Sequence, residues 1–93
     1  MKIKIRIGNM RISGPDKQYH QNQLQIFADT IASKVDQTIT RVDFAKQDMR
    51  GSLSITLFDD NHCVPMQKHF SSKDALIGYV CGYNHANRDV KYI

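Results

Sequence analysis

Ser52-Leu53-Ser54-Ile55-Thr56-Leu57-Phe58, followed by the corner Asp59-Asp60-Asn61-His62 and by Cys63-Val64-Pro65-Met66-Gln67-Lys68-His69-Phe70, decides the fold. Leu53, Ile55 and Leu57 alternate with Ser52, Ser54 and Thr56, the period-2 pattern of a strand with one buried face. The polar corner is short, so the next run, with Val64, Met66 and Phe70 at even spacing, returns as an antiparallel partner. Pro65 lacks an N–H and places that strand at an edge or at a bulge. Ser71 is expected to cap a helix, with Asp74 completing a Ser-x-x-Asp capping box, and Leu76, Ile77, Val80 and Tyr83 follow at helical spacings. A hairpin feeding an amphipathic helix is the central unit.

Upstream, Ile3, Ile5 and Ile7 alternate with Lys2, Lys4 and Arg6, which reads as a strand, with Gly8-Asn9 as a bulge. Ser13-Gly14-Pro15-Asp16 supplies a turn and a helix start. From Asp16 to Asp36, Tyr19, Leu24, Phe27, Ala28, Ile31 and Val35 mark the core-facing stripe of the longest helix. Thr38 to Lys46 is rich in β-branched residues, with Val42 and Phe44 alternating with Arg41 and Asp43, and reads as another strand. The helix of the central unit is expected to fray near His85 to Asp89, and Val90 to Ile93 fits either a short strand or a docked tail.

The order is strand, helix, strand, strand, strand, helix. A right-handed strand-helix-strand crossover makes its two strands parallel, and the later strands add antiparallel hairpins. The expected fold is a single α/β (α+β) domain over residues 1–93, with a four-stranded sheet and both helices on one face. The expected core comprises Ile3, Ile5, Ile7, Leu24, Phe27, Ile31, Val42, Leu53, Ile55, Leu57, Leu76 and Val80. Lys2, Lys4, Arg6, Arg11 and Arg41 then fall on the open sheet face or at its ends.

Composition narrows the class. A chain of 93 residues, 41% hydrophobic and 24% charged, suits one globular domain with a thin core. No apolar run approaches the roughly 18 residues of a membrane span, and the alternating start is unlike a secretion signal, so a cytoplasmic protein without membrane partners is expected. Thirteen Lys and Arg against nine Asp and Glu leave a net charge of +4, which favours anionic partners. Cys63 and Cys81 form no Cys-x-x-Cys pair and are read as reduced thiols.

The Met-x-Ile-x-Ile start, Gly8 followed shortly by Ile12-Ser13, a helix of about twenty residues, and a final helix opened by Ser71-Ser72-Lys73-Asp74-Ala75 together resemble the hibernation promoting factor and ribosome-associated inhibitor A family. The resemblance spans nearly the whole chain and rests on element order and length. It implies a double-stranded-RNA-binding-like fold that sits in the small ribosomal subunit near the decoding region and competes with messenger and transfer RNA. One departure stands out: family members usually carry many Lys and Arg on the last helix, whereas this one offers mainly Lys73 and Arg88, with Gly78 and Gly82 inside it.

Two sets of residues suggest chemistry. Cys63, His69, Cys81 and His85 sketch a Cys2His2 zinc set, but the Cys-x5-His spacing is unusual and buried thiols with surface imidazoles explain the residues, so no metal is assigned. Asp59, Asp60 and His62 combine acid and base in one corner, and a polar turn accounts for them without a shielded catalytic pocket. With no phosphate loop or nucleophile motif, no catalytic residue and no cofactor is assigned.

The basic row is the candidate site. Lys2, Lys4, Arg6, Arg11 and Arg41 on the sheet, with Lys17, Lys34 and Lys73 at the helices, are the expected phosphate contacts, and Phe58 is the expected exposed ring for stacking or for a protein contact. Against this, Lys on exposed strands commonly serves only to suppress aggregation. The expected function is non-enzymatic binding of ribosomal or other structured RNA in translation regulation. The alternative is a small phage-encoded inhibitor that binds a host protein.

Overall fold

The computed structural model describes residues 3–8, 14–46 and 52–87. Lys2, Arg11 and Arg88, the residues after Gly8 expected to bulge, and the segment Val90 to Ile93 lie outside them. The elements run β1 (Lys4–Gly8), α1 (Lys17–Thr30), β2 (Ile39–Lys46), β3 (Leu53–Asp59), β4 (Met66–Phe70) and α2 (Lys73–Asn87), with a π-helical turn, Ile31–Val35, continuing α1. They make one small α+β domain.

Sheet order follows chain order, β1-β2-β3-β4. The β1–β2 pair is parallel, as a crossover through α1 requires, and the other two pairs are antiparallel. Opposite neighbours fix the faces. Ile5 and Ile7 lie beside Val42 and Phe44, which lie beside Leu57 and Ile55, which lie beside Met66 and Lys68. Both helices cover this face: Phe27 of α1 meets Phe44 edge-on at 6.2 Å, and Tyr79 of α2 meets Phe70 at 5.3 Å.

Phe27 is the hub of the core, because its ring also contacts Tyr79 and Tyr83 of α2, at 6.1 and 5.1 Å. Such T-shaped contacts match the ring quadrupoles and add to the hydrophobic gain. Ten of the twelve expected core residues are buried, and Ile5 and Ile7 are half-buried against them. Ala28, Ile39 and Phe44 complete the core. Each fully buried large apolar side chain contributes roughly 1.5–3 kcal/mol.

Three local expectations shift. Ser72, not Ser71, caps α2: its hydroxyl accepts the N–H of Ala75 at 3.1 Å, and its carbonyl receives Leu76 N–H. The third helical position is therefore Ala75, so no capping box forms, and Asp74 instead faces the positive end of the helix dipole. The second helix runs through Asn87, within the expected fraying range of His85 to Asp89, of which residues 88 and 89 lie outside the described ones. In α1, Leu24, Phe27, Ala28 and Ile31 form the buried stripe, but Tyr19 and Val35 are 56% and 62% exposed. Tyr19 precedes Leu24 by five residues, which at about 100° per residue turns it well off the stripe. Val35 follows the wider π turn, closed by Asp36 N–H donating to Ile31 C=O at 2.9 Å, and this turn shifts the helical phase.

The last shift concerns the sheet. Ser54 and Thr56 were expected to face water, yet they are 0% and 7% exposed, so β3 is buried on both faces through its middle. Both are short side chains on a central strand, flanked in register by Ala45 and His69 and by Asp43 and Gln67. Gln67 reaches across and donates its amide N–H to Thr56 Oγ1 at 2.9 Å.

Candidate nucleic-acid interface on the open sheet face

Register assembles the uncovered face in three rows. Lys4 lies beside Arg41, which lies beside Phe58; Arg6 lies beside Asp43, then Thr56 and Gln67; Gly8 lies beside Ala45, then Ser54 and His69. Among the described residues this face carries three formal cations, Lys4, Arg6 and Arg41, against one carboxylate, Asp43. The alternation in β1 and the crossover to β2 bring the cations together. A bulge between Ile39 and Arg41 sets the register that places Arg41 opposite Phe58.

The cations are not equivalent. Arg41 stacks its guanidinium 4.1 Å from the centre of the Phe58 ring and lies 3.0 Å, Nε to Oδ1, from Asp43. The two side chains are 32% and 19% exposed, so they pair as ions, although the N–H does not point at the oxygen and neither atom makes a hydrogen bond among the described residues. This off-axis contact leaves the cation–π stack as the better-formed interaction of Arg41. Phe58 is therefore half-covered by Arg41 instead of standing free. Lys4 and Arg6 are exposed, and no carboxylate pairs with them among the described residues. They are the cations most available to a phosphate.

The helix lysines lie on the other layer. Lys17 begins α1, Lys73 begins α2, and Lys34 sits in the π turn, where its ammonium donates to the carbonyl of Asn87 at 2.7 Å. The fold does not gather Lys17, Lys34 and Lys73 with the sheet cations, because the sheet itself stands between the two sets. The expected single contact surface therefore reduces, among the described residues, to Lys4, Arg6, Arg41 and Phe58.

Neither set of chemistry-bearing residues weighed from the sequence converges. Cys63 is exposed in the β3–β4 hairpin and His69 is on the open face of β4, whereas Cys81 and His85 are on α2. Among the described residues no three His, Cys, Asp or Glu side chains gather as a metal site. In the corner, Asp59 Oδ1 accepts the N–H groups of Asn61 and Cys63, both at 2.9 Å, and His62 adopts the left-handed backbone (φ 62) that closes the turn. The carboxylate is committed to turn geometry.

Sequence reasoning missed a cleft of about 280 Å³ between α1 and α2, lined by Tyr19, Gln23, Ile26, Cys81, Asn84 and His85. Asn84 is buried and straps the helices, donating from Nδ2 to the carbonyl and to Oε1 of Gln23 at 2.9 and 2.8 Å. A usable signal was present. Neither Gln18 to Ala28 nor Ala75 to Asn87 contains Asp, Glu, Lys or Arg, in a chain where charge is otherwise frequent.

Burial raises the phenol of Tyr83 above its ordinary range, with the neighbouring Tyr79 adding to the effect. The Thr38 hydroxyl and N–H, both donating to Asp36, lower that exposed carboxylate. Compared with known proteins, the chain matches no family model and no curated relative.

Proposed function

We propose that the chain is a non-enzymatic binding protein for structured RNA, which it holds by the phosphate backbone on the open sheet face. What carries the reading is the cluster of Lys4, Arg6 and Arg41 beside Phe58 on the face that no described helix covers. Lys4 and Arg6 supply exposed cations that no carboxylate pairs among the described residues, and the Arg41–Phe58 stack offers a flat cationic surface to a base or ribose. Contacts of this kind position a backbone and read shape, with little base information. The ribosome is the foremost target, on the resemblance of element order to the hibernation factors.

A second reading, a protein-directed inhibitor, is favoured by one observation. Around the inter-helix cleft, the segments Gln18 to Ala28 and Ala75 to Asn87 carry no Asp, Glu, Lys or Arg, and Tyr19 and Ile26 are exposed, at 56% and 46%. Charge depletion with exposed aromatic and aliphatic groups is the composition of a protein-contact core. Sucrose-gradient cosedimentation with ribosomes, run beside a titration of RNA hairpins at several salt concentrations, separates the two. For RNA held by two or three phosphates, the log-log salt slope is roughly −1.5 to −2.5. Absence of ribosome cosedimentation together with a flat salt response overturns the RNA reading.

A further inference from the structure

We propose that the outer edge of β4, which no described strand pairs, docks an extended segment of a partner protein, of pattern apolar-x-acidic-x-apolar, as a fifth strand beside Met66 to Phe70. The two edges of the sheet differ. At β1, the chain entering the strand is already engaged by α1: Ile3 N–H donates to Asp29 Oδ1 at 2.8 Å, and Gln25 Nε2 donates to Ile3 C=O at 2.7 Å. At β4, one side pairs with β3, and no described element occupies the other. Alternate residues of an edge strand turn N–H and C=O outward, and an added strand satisfies them.

The side chains specify the occupant. Met66, Lys68 and Phe70 share the helix-covered side, and Gln67 and His69 share the open side. Met66 is 37% exposed. The Lys68 ammonium is held over the rings of Tyr79, at 5.1 Å, and Phe70, at 6.0 Å. A strand laid beside β4 puts one residue against Lys68 and the residues two before and two after it against Met66 and Phe70. An acidic residue in the middle pairs with the fixed ammonium, and the outer two are apolar. The pattern is palindromic, so it holds for either strand direction.

Charge complementarity also excludes the simplest competitor. Lys68 is the central residue of β4, so antiparallel pairing with a second copy about that centre sets like charges directly opposite each other, which is destabilising.

The probe is a fluorescein-labelled peptide, Thr-Val-Thr-Glu-Thr-Val-Thr, titrated against the full chain by anisotropy. Saturable binding is expected, with Lys68→Glu weakening it at least tenfold and a Lys-centred peptide regaining affinity on that variant. Lys68→Met, which keeps an apolar stem over Tyr79, is expected to fall between. Of two peptides N-methylated on alternate residues in opposite phases, one is expected to lose binding, because only one phase faces the sheet. Circular dichroism confirms that the variants fold. The proposal is overturned by no binding at about 1 mM peptide, weak even for a single short strand, by both methylated peptides binding like the parent, or by equal affinity of a folded Lys68→Glu chain. Sedimentation of the chain alone as a dimer through β4, unaffected by Lys68→Met, overturns it in favour of a second copy.

Discussion

The open face of the sheet carries Lys4, Arg6, Arg41 and Asp43, whereas the outer face of the helical layer, along Gln18 to Ala28 and Ala75 to Asn87, carries no Asp, Glu, Lys or Arg at all. Both faces rest on one apolar layer centred on Phe27, so the difference is not one of stability. It reflects how each surface meets a partner: charge acts at a distance and weakens with salt, while a neutral surface with exposed Tyr19 and Ile26 acts only on contact. Two surfaces of unlike chemistry on so small a domain can be addressed separately by substitution.

The most severe way to break the comparison is to remove its shared support. Phe27→Ala empties the site where the ring meets Phe44, Tyr79 and Tyr83. A loss of about 3–5 kcal/mol is expected in denaturant unfolding, with both faces failing together. If one face keeps its binding after this substitution, the two do not depend on a common core.

Reversing Lys4 and Arg6 to Glu addresses the charged face alone. RNA affinity is expected to fall roughly 30-fold or more at 0.1 M salt, with a nearly flat salt slope, because two phosphate contacts are lost. Thermal unfolding should barely move, since exposed strand charges add little stability. Tyr19→Glu with Ile26→Glu is the matching control on the other layer, and its RNA titration should overlay the parent.

A smaller effect sharpens the neutral face. Beyond its own helix backbone, an added methyl at Gly78 or Gly82 meets no described atom within 4 Å, so no packing among the described residues requires either glycine. Replacing each with Ala should stabilise by about 0.4–1 kcal/mol, seen as a higher unfolding midpoint. Destabilisation would mean that the α2 surface is not as open as its geometry indicates.

The smallest expected effect is alkaline. With its folded pKa raised by burial, Tyr83 contributes stability that is complete below pH 10, the ordinary phenol value, and is lost as pH rises through the folded value. Tyr83→Phe should flatten the decline in melting temperature above pH 10. At the acid end, Asp36 has the opposite sign: its lowered folded pKa contributes stability above the unfolded value, lost as pH falls through the folded one. An alkaline limb unchanged in the Phe variant would assign the decline to another group.

The fold was legible because its signals are local. Alternation in Ile3 to Ile7 and Leu53 to Leu57, and the three- and four-residue spacing from Leu24 to Ile31, each mark an element without knowledge of its neighbours. What escaped depends on the neighbours. The burial of Ser54 and Thr56 needs the side chains of two flanking strands, and the Arg41–Phe58 stack needs a register set by a bulge. The separation of Lys17, Lys34 and Lys73 from the sheet cations is a matter of layers, which charge counting does not see. The cap at Ser72 in place of Ser71 turned on one residue, within the usual spread of helix boundaries. The exposed cations of the candidate site, Lys4 and Arg6, were legible from alternation alone.

The π-helical turn at Ile31–Val35 amounts to an α-helix holding one residue too many. Ser33, exposed in the middle of it, is then a removable residue in a literal sense. Deleting it lets the last turn close as ordinary α-helix, with Val35 three residues after Ile31 in place of four. The connection to β2 through Asp36 to Thr38 would keep its direction, so the register that sets Arg41 over Phe58 is expected to survive the deletion. The π turn thus lets α1 carry an extra residue without moving the strand that follows it.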